Sequence, residues 1–181
     1  MVNKPIRIGI VGAGNVVRQR YMAGFRALEG VEIVGVCNST RASSERVAAE
    51  YKIPQTYDTW LELVESEETN AILVGTYADL HFPVVLAALE QGKHALTENP
   101  VGRNAAEAHA MLDAAKVRPG LVAQAIPGAF SYQVEPTVQE LIRGGYLGEL
   151  LAIDMRLHQR SFVDLATPFD RRNSWEVRGY N

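Results

Sequence analysis

A chain of 181 residues with 47% hydrophobic and 22% charged side chains has the composition of a packed globular protein, which excludes a disordered or collagen-like one. Eighteen basic and 21 acidic residues leave a net charge of −3, too little positive field to hold nucleic acid or an anionic membrane by charge alone. The single cysteine, Cys37, excludes an intrachain disulfide framework and a Cys-rich zinc site. No apolar run approaches the roughly 18 residues that span a bilayer. The opening Met-Val-Asn-Lys-Pro lacks the apolar centre of a secretion signal, so a cytoplasmic protein is expected.

Ile6 to Val11 is the first apolar run, as a parallel strand covered on both faces requires. Gly12 to Gly14 breaks it, and Asn15 to Leu28 has helical spacing. Val31 to Val36 predicts a second strand, then Arg41 to Tyr51 a helix with Thr40 as its N-cap. Thr59-Trp60-Leu61-Glu62 is a capping box that opens a short helix. Ala71 to Gly75 predicts a strand, Pro83 to Glu90 a helix that stops at Gly92, and Ala95 to Thr97 another strand. Asn104-Ala105-Ala106-Glu107 starts a helix that runs to about Lys116, before Pro119-Gly120 and a last buried strand from Leu121 to Ile126. Strand alternating with helix predicts an α/β fold with a doubly wound parallel sheet.

The rhythm then changes. Thr137 to Arg143 is helical and stops at Gly144-Gly145. Leu151 to Leu157 alternates strictly, with Leu151, Ile153, Met155 and Leu157 on one face, which suits an antiparallel strand with one wet face. Gln159 to Asn181 is polar and without period. The expected division is a dinucleotide-binding domain over 1–126, then a linker helix and the incomplete start of an α+β domain over 127–181. An apolar strand face without following strands predicts pairing with another copy, hence a homo-oligomer, or disorder of that strand.

Gly12-Ala13-Gly14-Asn15-Val16-Val17 lies between a buried strand and a helix, the context that gives a G-x-G pattern meaning. The first glycine permits a tight turn; the second lets a pyrophosphate approach the amides of the helix start. The third small position is Val17, which predicts a helix standing farther from the strand. The plainer alternative is a glycine turn that only reverses the chain. After the second strand an NAD enzyme usually carries an acid for the ribose 2′-hydroxyl. Here the residues are Cys37-Asn38-Ser39-Thr40-Arg41. An amide, two hydroxyls and a guanidinium favour NADP, with NAD possible; alternatively Ser39 and Thr40 only cap a helix and Arg41 is solvated.

Several segments together are similar to the glucose–fructose oxidoreductase / inositol dehydrogenase / MocA family. They are Ile8 to Val16, Asp79-Leu80-His81, Ala87 to His94, Thr97-Glu98-Asn99-Pro100 and Leu141 to Glu149, in that order. The resemblance covers roughly residues 5 to 157 of a chain about half the family's usual length. It implies a Rossmann-type NAD(P)-binding domain and hydride transfer to or from sugars, polyols or related small carbonyl compounds. The expected cofactor-binding residues are Gly12, Gly14, Asn15, Val16, Asn38, Ser39, Thr40, Arg41, Thr76, Tyr77 and Glu98, and by resemblance Glu98, Asn99 and His81 stand at the reacting end.

Three departures qualify that reading. Asn99 replaces the lysine of the family's Glu-Lys-Pro, and asparagine donates a hydrogen bond but has no titratable proton. Tyr77 stands where the family often has proline; it either lines the cleft or caps the sheet. His81, by contrast, matches a family histidine near the cofactor, the plainer alternative being a helix-start histidine that only packs. The family's Asp-x-x-x-His acid–base pair has no counterpart between 127 and 181, since Asp154 and His158 share the polar face of the predicted strand. His94 and His109 have no partner at metal-ligand spacing, so no metal is expected. Two functions follow: an NADP-dependent oxidoreductase, or a catalytically impaired NADP-binding module. A methyltransferase reading is disfavoured by Asn38, where that class usually carries an acid.

Overall fold

A computed structural model of the chain describes residues 5–126, 134–154 and 156. Residues 5–126 form one unit and residues 134–156 belong to another; each is described by itself.

The first unit is built on six parallel strands in the order β3-β2-β1-β4-β5-β6. β1 (Ile6–Val11) sits at the centre, paired with β2 (Val31–Cys37) on one side and β4 (Ala71–Val74) on the other. β3 (Gln55–Thr56) extends the sheet beyond β2, while β5 (His94–Thr97) and β6 (Ala123–Ala125) extend it beyond β4. Successive side chains of a strand point to opposite faces, and both faces are covered. Ile8, Ile10, Val36 and Leu73 pack with Met22 of α1 (Met22–Arg26) and Val47 of α2 (Arg41–Tyr51). Ile72, Val74 and Ala95 pack with residues of α3 (Trp60–Glu65), α4 (Ala78–Glu90) and α5 (Ala105–Lys116). This is the doubly wound sheet that the alternation of elements predicts.

Local hydrogen bonds start three helices where the sequence places them. Thr40, Thr59 and Asn104 each accept from the backbone N–H three residues on, at Ser43, Glu62 and Glu107. The capping box at Thr59 is offset by one residue, because Glu62 accepts from Asp58 N rather than closing back on the cap itself. Helix α4 begins at Ala78, five residues ahead of Pro83. A proline inside a helix removes one ladder bond, and the turn before it is held from outside instead, by the contacts of His81 described below.

The helix expected from Asn15 to Leu28 is not uniform. A π turn over Val17–Tyr21, closed by Met22 N–H on Val17 O, precedes α1. Val17 is 1% exposed, and a Cβ placed on Gly75 would fall on its Cγ2 methyl and on Gly12 O. The valine at the third small position is therefore accommodated by a missing side chain at the end of β4.

At the start of α5, Arg103 closes on Glu107 with its backbone N–H (2.8 Å to Oε2), Nε (2.9 Å) and Nη2 (2.6 Å to Oε1). Burial opposes ionisation of Glu107, but the Arg103 hydrogen bonds and charge outweigh it and hold the carboxyl below its usual range. A depressed folded pKa stabilises the protein above the unfolded value of 4.5 and stops doing so as pH falls through the folded one. Glu107→Gln is thus expected to cost stability at neutral pH, with the gap to wild type closing below pH 4.5. Urea unfolding across a pH series checks this; a gap independent of pH would refute it.

In the second unit α6 (Glu135–Arg143) carries the ladder Gln139 Nε2 to Glu135 Oε1 and Arg143 Nη2 to Gln139 Oε1. Two glycines at positive φ, Gly145 and Gly148, follow it. Leu151–Asp154 and Arg156 do not form the expected strand; Leu151 and Ile153 are 87% and 79% exposed. Met155, Leu157 and the polar stretch from Gln159 onward lie outside the described residues. Among the described residues no helix is long and apolar enough to cross a membrane.

Candidate functional site

Parallel strands end together, and the carboxyl edge of this sheet carries the glycine turn after β1, the Asn38 loop after β2 and the Thr76 loop after β4. Between β1 and β4 the connections diverge to opposite sides, the place where open α/β sheets bind ligands. A cleft of about 630 Å³ opens there.

Gly12 has φ +85°, and a Cβ on it would meet Thr76 N at 2.9 Å and Gly75 C at 3.0 Å. Both the left-handed backbone and the approach of the β4 loop therefore demand glycine. Gly14 is different: a Cβ there would meet nothing within 4 Å. Its missing side chain leaves space in the cleft itself, beside the amides that open the helix and lack a ladder partner by position. Asn38 completes the turn. Its Oδ1 accepts from Ala13 N (2.7 Å), its Nδ2 donates to Ser43 O (3.2 Å) and Oγ (3.1 Å), and its backbone N–H donates to Ser44 Oγ (2.9 Å). Asn38 is thus a brace between the glycine turn and α2.

The end of the cleft beside β2 is lined by Cys37, Asn38, Ser39, Ser43, Arg46, Asp58 and Trp60. Burial, with Glu62 and Asp58 nearby, pushes the Cys37 thiol up to about 11, so it stays protonated. Thr40 and Arg41 do not line the cleft. Thr40 caps α2, and Arg41 is engaged by Glu45 (Nε to Oε1, 2.9 Å) and by both oxygens of Asp58 (2.9 Å each). Sequence reasoning missed Ser43, Arg46 and Arg18, although Ser43 and Arg46 stand at the spacing of one face of α2. Arg18 Nε is buried without an acceptor, while its Nη2 donates to Asn15 Oδ1 at 2.5 Å. Arg18 Nη1 also stands 3.6 Å from Glu50 Oε2, so Arg46, without an acidic partner among the described residues, is the guanidinium that joins the open glycine and the helix-start amides in a donor set suited to phosphate.

Toward β4 and β5 the cleft is lined by Gly75, Thr76, Tyr77, Asp79 and Leu80. Asn15 lines it as well; Val16 is 46% exposed at the surface beside it. Glu98, Asn99 and His81 are not among the residues that line the cleft; Glu98 follows β5 directly, and its N–H donates to Val74 O (3.0 Å). Its Oε1 accepts from Tyr21 OH (2.5 Å) and its Oε2 from Asn99 N (3.3 Å). The Asn99–Pro100 bond is cis. His81 is 1% exposed, with Nδ1 on Pro100 O (2.7 Å) and Nε2 on Thr76 O (3.1 Å). The ring ties the β4 loop to the Asn99–Pro100 turn. Among the described residues no three His, Cys, Asp or Glu side chains gather to hold a metal ion.

Sheet order, glycine cradle and cleft define a dinucleotide-binding α/β domain. A family model described as an oxidoreductase family with an NAD-binding Rossmann fold matches residues 6–125, and the chain belongs to that family. It is 24% identical over 163 residues to D-glucoside 3-dehydrogenase of Escherichia coli, covering 90% of this chain and 46% of that protein. It is 29% identical over 176 residues to trans-1,2-dihydrobenzene-1,2-diol dehydrogenase of Bos taurus, covering 96% and 50%. The fold matches a 3-ketoreductase from Actinomadura kijaniata, solved with NADP and TDP-benzene, at a TM-score of 0.67 and 22% identity, over 78% of this chain and 43% of that one. The chain spans about half the length of the curated relatives it matches.

Proposed function

We propose that this domain binds NADP(H) and serves hydride transfer to or from a sugar, polyol or related small carbonyl compound. The observation that carries this reading is the cleft at the carboxyl edge of the sheet, into which Gly14 opens without a side chain beside the helix-start amides. Gly12, Gly14 and Asn15 hold the pyrophosphate, with Asn38 keeping the turn in shape. Ser39, Ser43 and Arg46 receive the 2′-phosphate. Thr76, Tyr77 and Glu98 meet the nicotinamide half, and Asn99 donates to the substrate oxygen. His81 acts as a positioning residue, since its buried ring is wedged between the Pro100 and Thr76 carbonyls. When bound, the nicotinamide supplies or accepts the hydride.

NADP over NAD rests on Arg46 rather than on Arg41, whose charge is already shared between Asp58 and Glu45. Arg46→Ala is expected to weaken NADPH binding about tenfold and NADH binding less than about twofold, the difference of one charge-assisted contact. Arg41→Ala should leave the NADPH/NADH preference within about twofold. Fluorescence titration of both nucleotides decides it: tighter binding of NADH by the wild type would sink the NADP assignment.

A second reading is favoured by one residue. Asn99 carries no titratable proton, so the same cleft suits a module that holds NADP(H) with little turnover. A panel of sugars and polyols, followed through the nicotinamide absorbance, separates the two.

A further inference from the structure

The glycine turn is followed by a π turn, and its last residue, Tyr21, reaches across the sheet edge to Glu98. The two are 77 positions apart in sequence, yet Tyr21 OH lies 2.5 Å from Glu98 Oε1. An α-helix advances about 100° per residue, and a π turn inserts one residue, so every side chain at its end is re-aimed; such bulges recur at functional sites. The ring is steadied by Phe25, 6.4 Å away and tilted by 48°.

We propose that Tyr21 is a positioning residue for Glu98: its hydroxyl holds one oxygen of a carboxylate that meets the nicotinamide half of the cofactor, an assignment that rests on the function proposed above. Glu98 is a flexible side chain on a short connection after β5. Left to itself it would lose rotamer freedom on binding. Tyr21 on Oε1 and Asn99 N–H on Oε2 fix the carboxylate in advance, and each oxygen keeps a lone pair for a ligand hydroxyl or amide.

Tyr21 does not replace the proton that Asn99 lacks. Burial, followed by the hydrogen bond to Glu98 and its charge, pushes the phenol up to about 12. At neutral pH the hydroxyl is therefore a steady donor and a poor acid.

The test compares NADPH with adenosine 2′,5′-bisphosphate, which occupies only the adenosine end, in wild type and Tyr21→Phe. The variant keeps the ring and loses the hydroxyl. Expected is an approximately tenfold weaker NADPH affinity with bisphosphate affinity unchanged within about twofold, and less than about twofold further loss when Tyr21→Phe is added to Glu98→Gln. Equal weakening of both ligands, or of neither, overturns the assignment. Failure of the wild type to bind NADPH would instead refute the function proposed above. Should the variant fail to fold, alkaline absorbance titration of wild type against Glu98→Gln decides. One tyrosine ionising near 12 in wild type should move down in the variant, and no such movement overturns the pairing.

Discussion

Gly12→Ala is expected to abolish NADPH binding and to destabilise the domain by about 3 kcal/mol, while Gly14→Ala should leave stability within about 0.5 kcal/mol and still weaken NADPH at least about tenfold. The contrast follows from what each missing Cβ would meet. At Gly12 an alanine must hold φ +85° and drive its methyl into Thr76 N and Gly75 C. Backbone atoms cannot step aside as a side-chain end can, so the glycine turn and the β4 loop separate together. At Gly14 the methyl enters free space and harms only a ligand that needs that space. Urea unfolding and NADPH fluorescence titration of the two variants measure both effects. Equal stability loss in the two variants, or undiminished NADPH binding by Gly14→Ala, would remove the basis for a pyrophosphate cradle.

Asn99→Lys should raise turnover on the best sugar or polyol of a panel by about 10²-fold or more, the usual worth of a positioned proton donor. Asparagine polarises a substrate oxygen without delivering a proton; a lysine at the same place does both. Glu98 and the turn into Pro100 are already present, so the change adds a titratable group to a formed corner. NADPH affinity should change little, which separates proton transfer from binding. A wild type that turns over as fast as the variant would show that proton delivery comes from another group and that Asn99 is no impairment.

Much of the fold was legible because its signals are local. β1 and α2 run over the residues their patterns mark, and Thr40, Thr59 and Asn104 cap the helices they precede. Sheet edges were harder. β3 is two residues, Gln55 and Thr56, whose strand character comes from pairing with Gly35 and Val36 rather than from any alternation. The converse holds at Leu151–Asp154, where perfect alternation yields no strand, because a period describes a face and not a neighbour to pair with.

The candidate site shows the same division. Glycine spacing marked the cradle, since a positive φ is a property of one residue. The partner of a charge is not. Arg41 stood in the expected position, yet Asp58, seventeen residues on, takes it. Arg46 was the less obvious residue and lines the cleft. The contact between Tyr21 and Glu98 was hidden twice over, by its span of 77 positions and by a π turn that no helical pattern announces.

Val17 and Gly75 also constrain how this sequence can change. One residue fills space that the other leaves, but Gly12 O would stand 2.6 Å from the same added Cβ. Position 75 is therefore tied to the glycine turn as well as to Val17. Shrinking the valine opens a small void without admitting a side chain at 75, because the turn carbonyl stays where it is. Of the two positions at the mouth of the cleft, 17 is the tolerant one and 75 the fixed one.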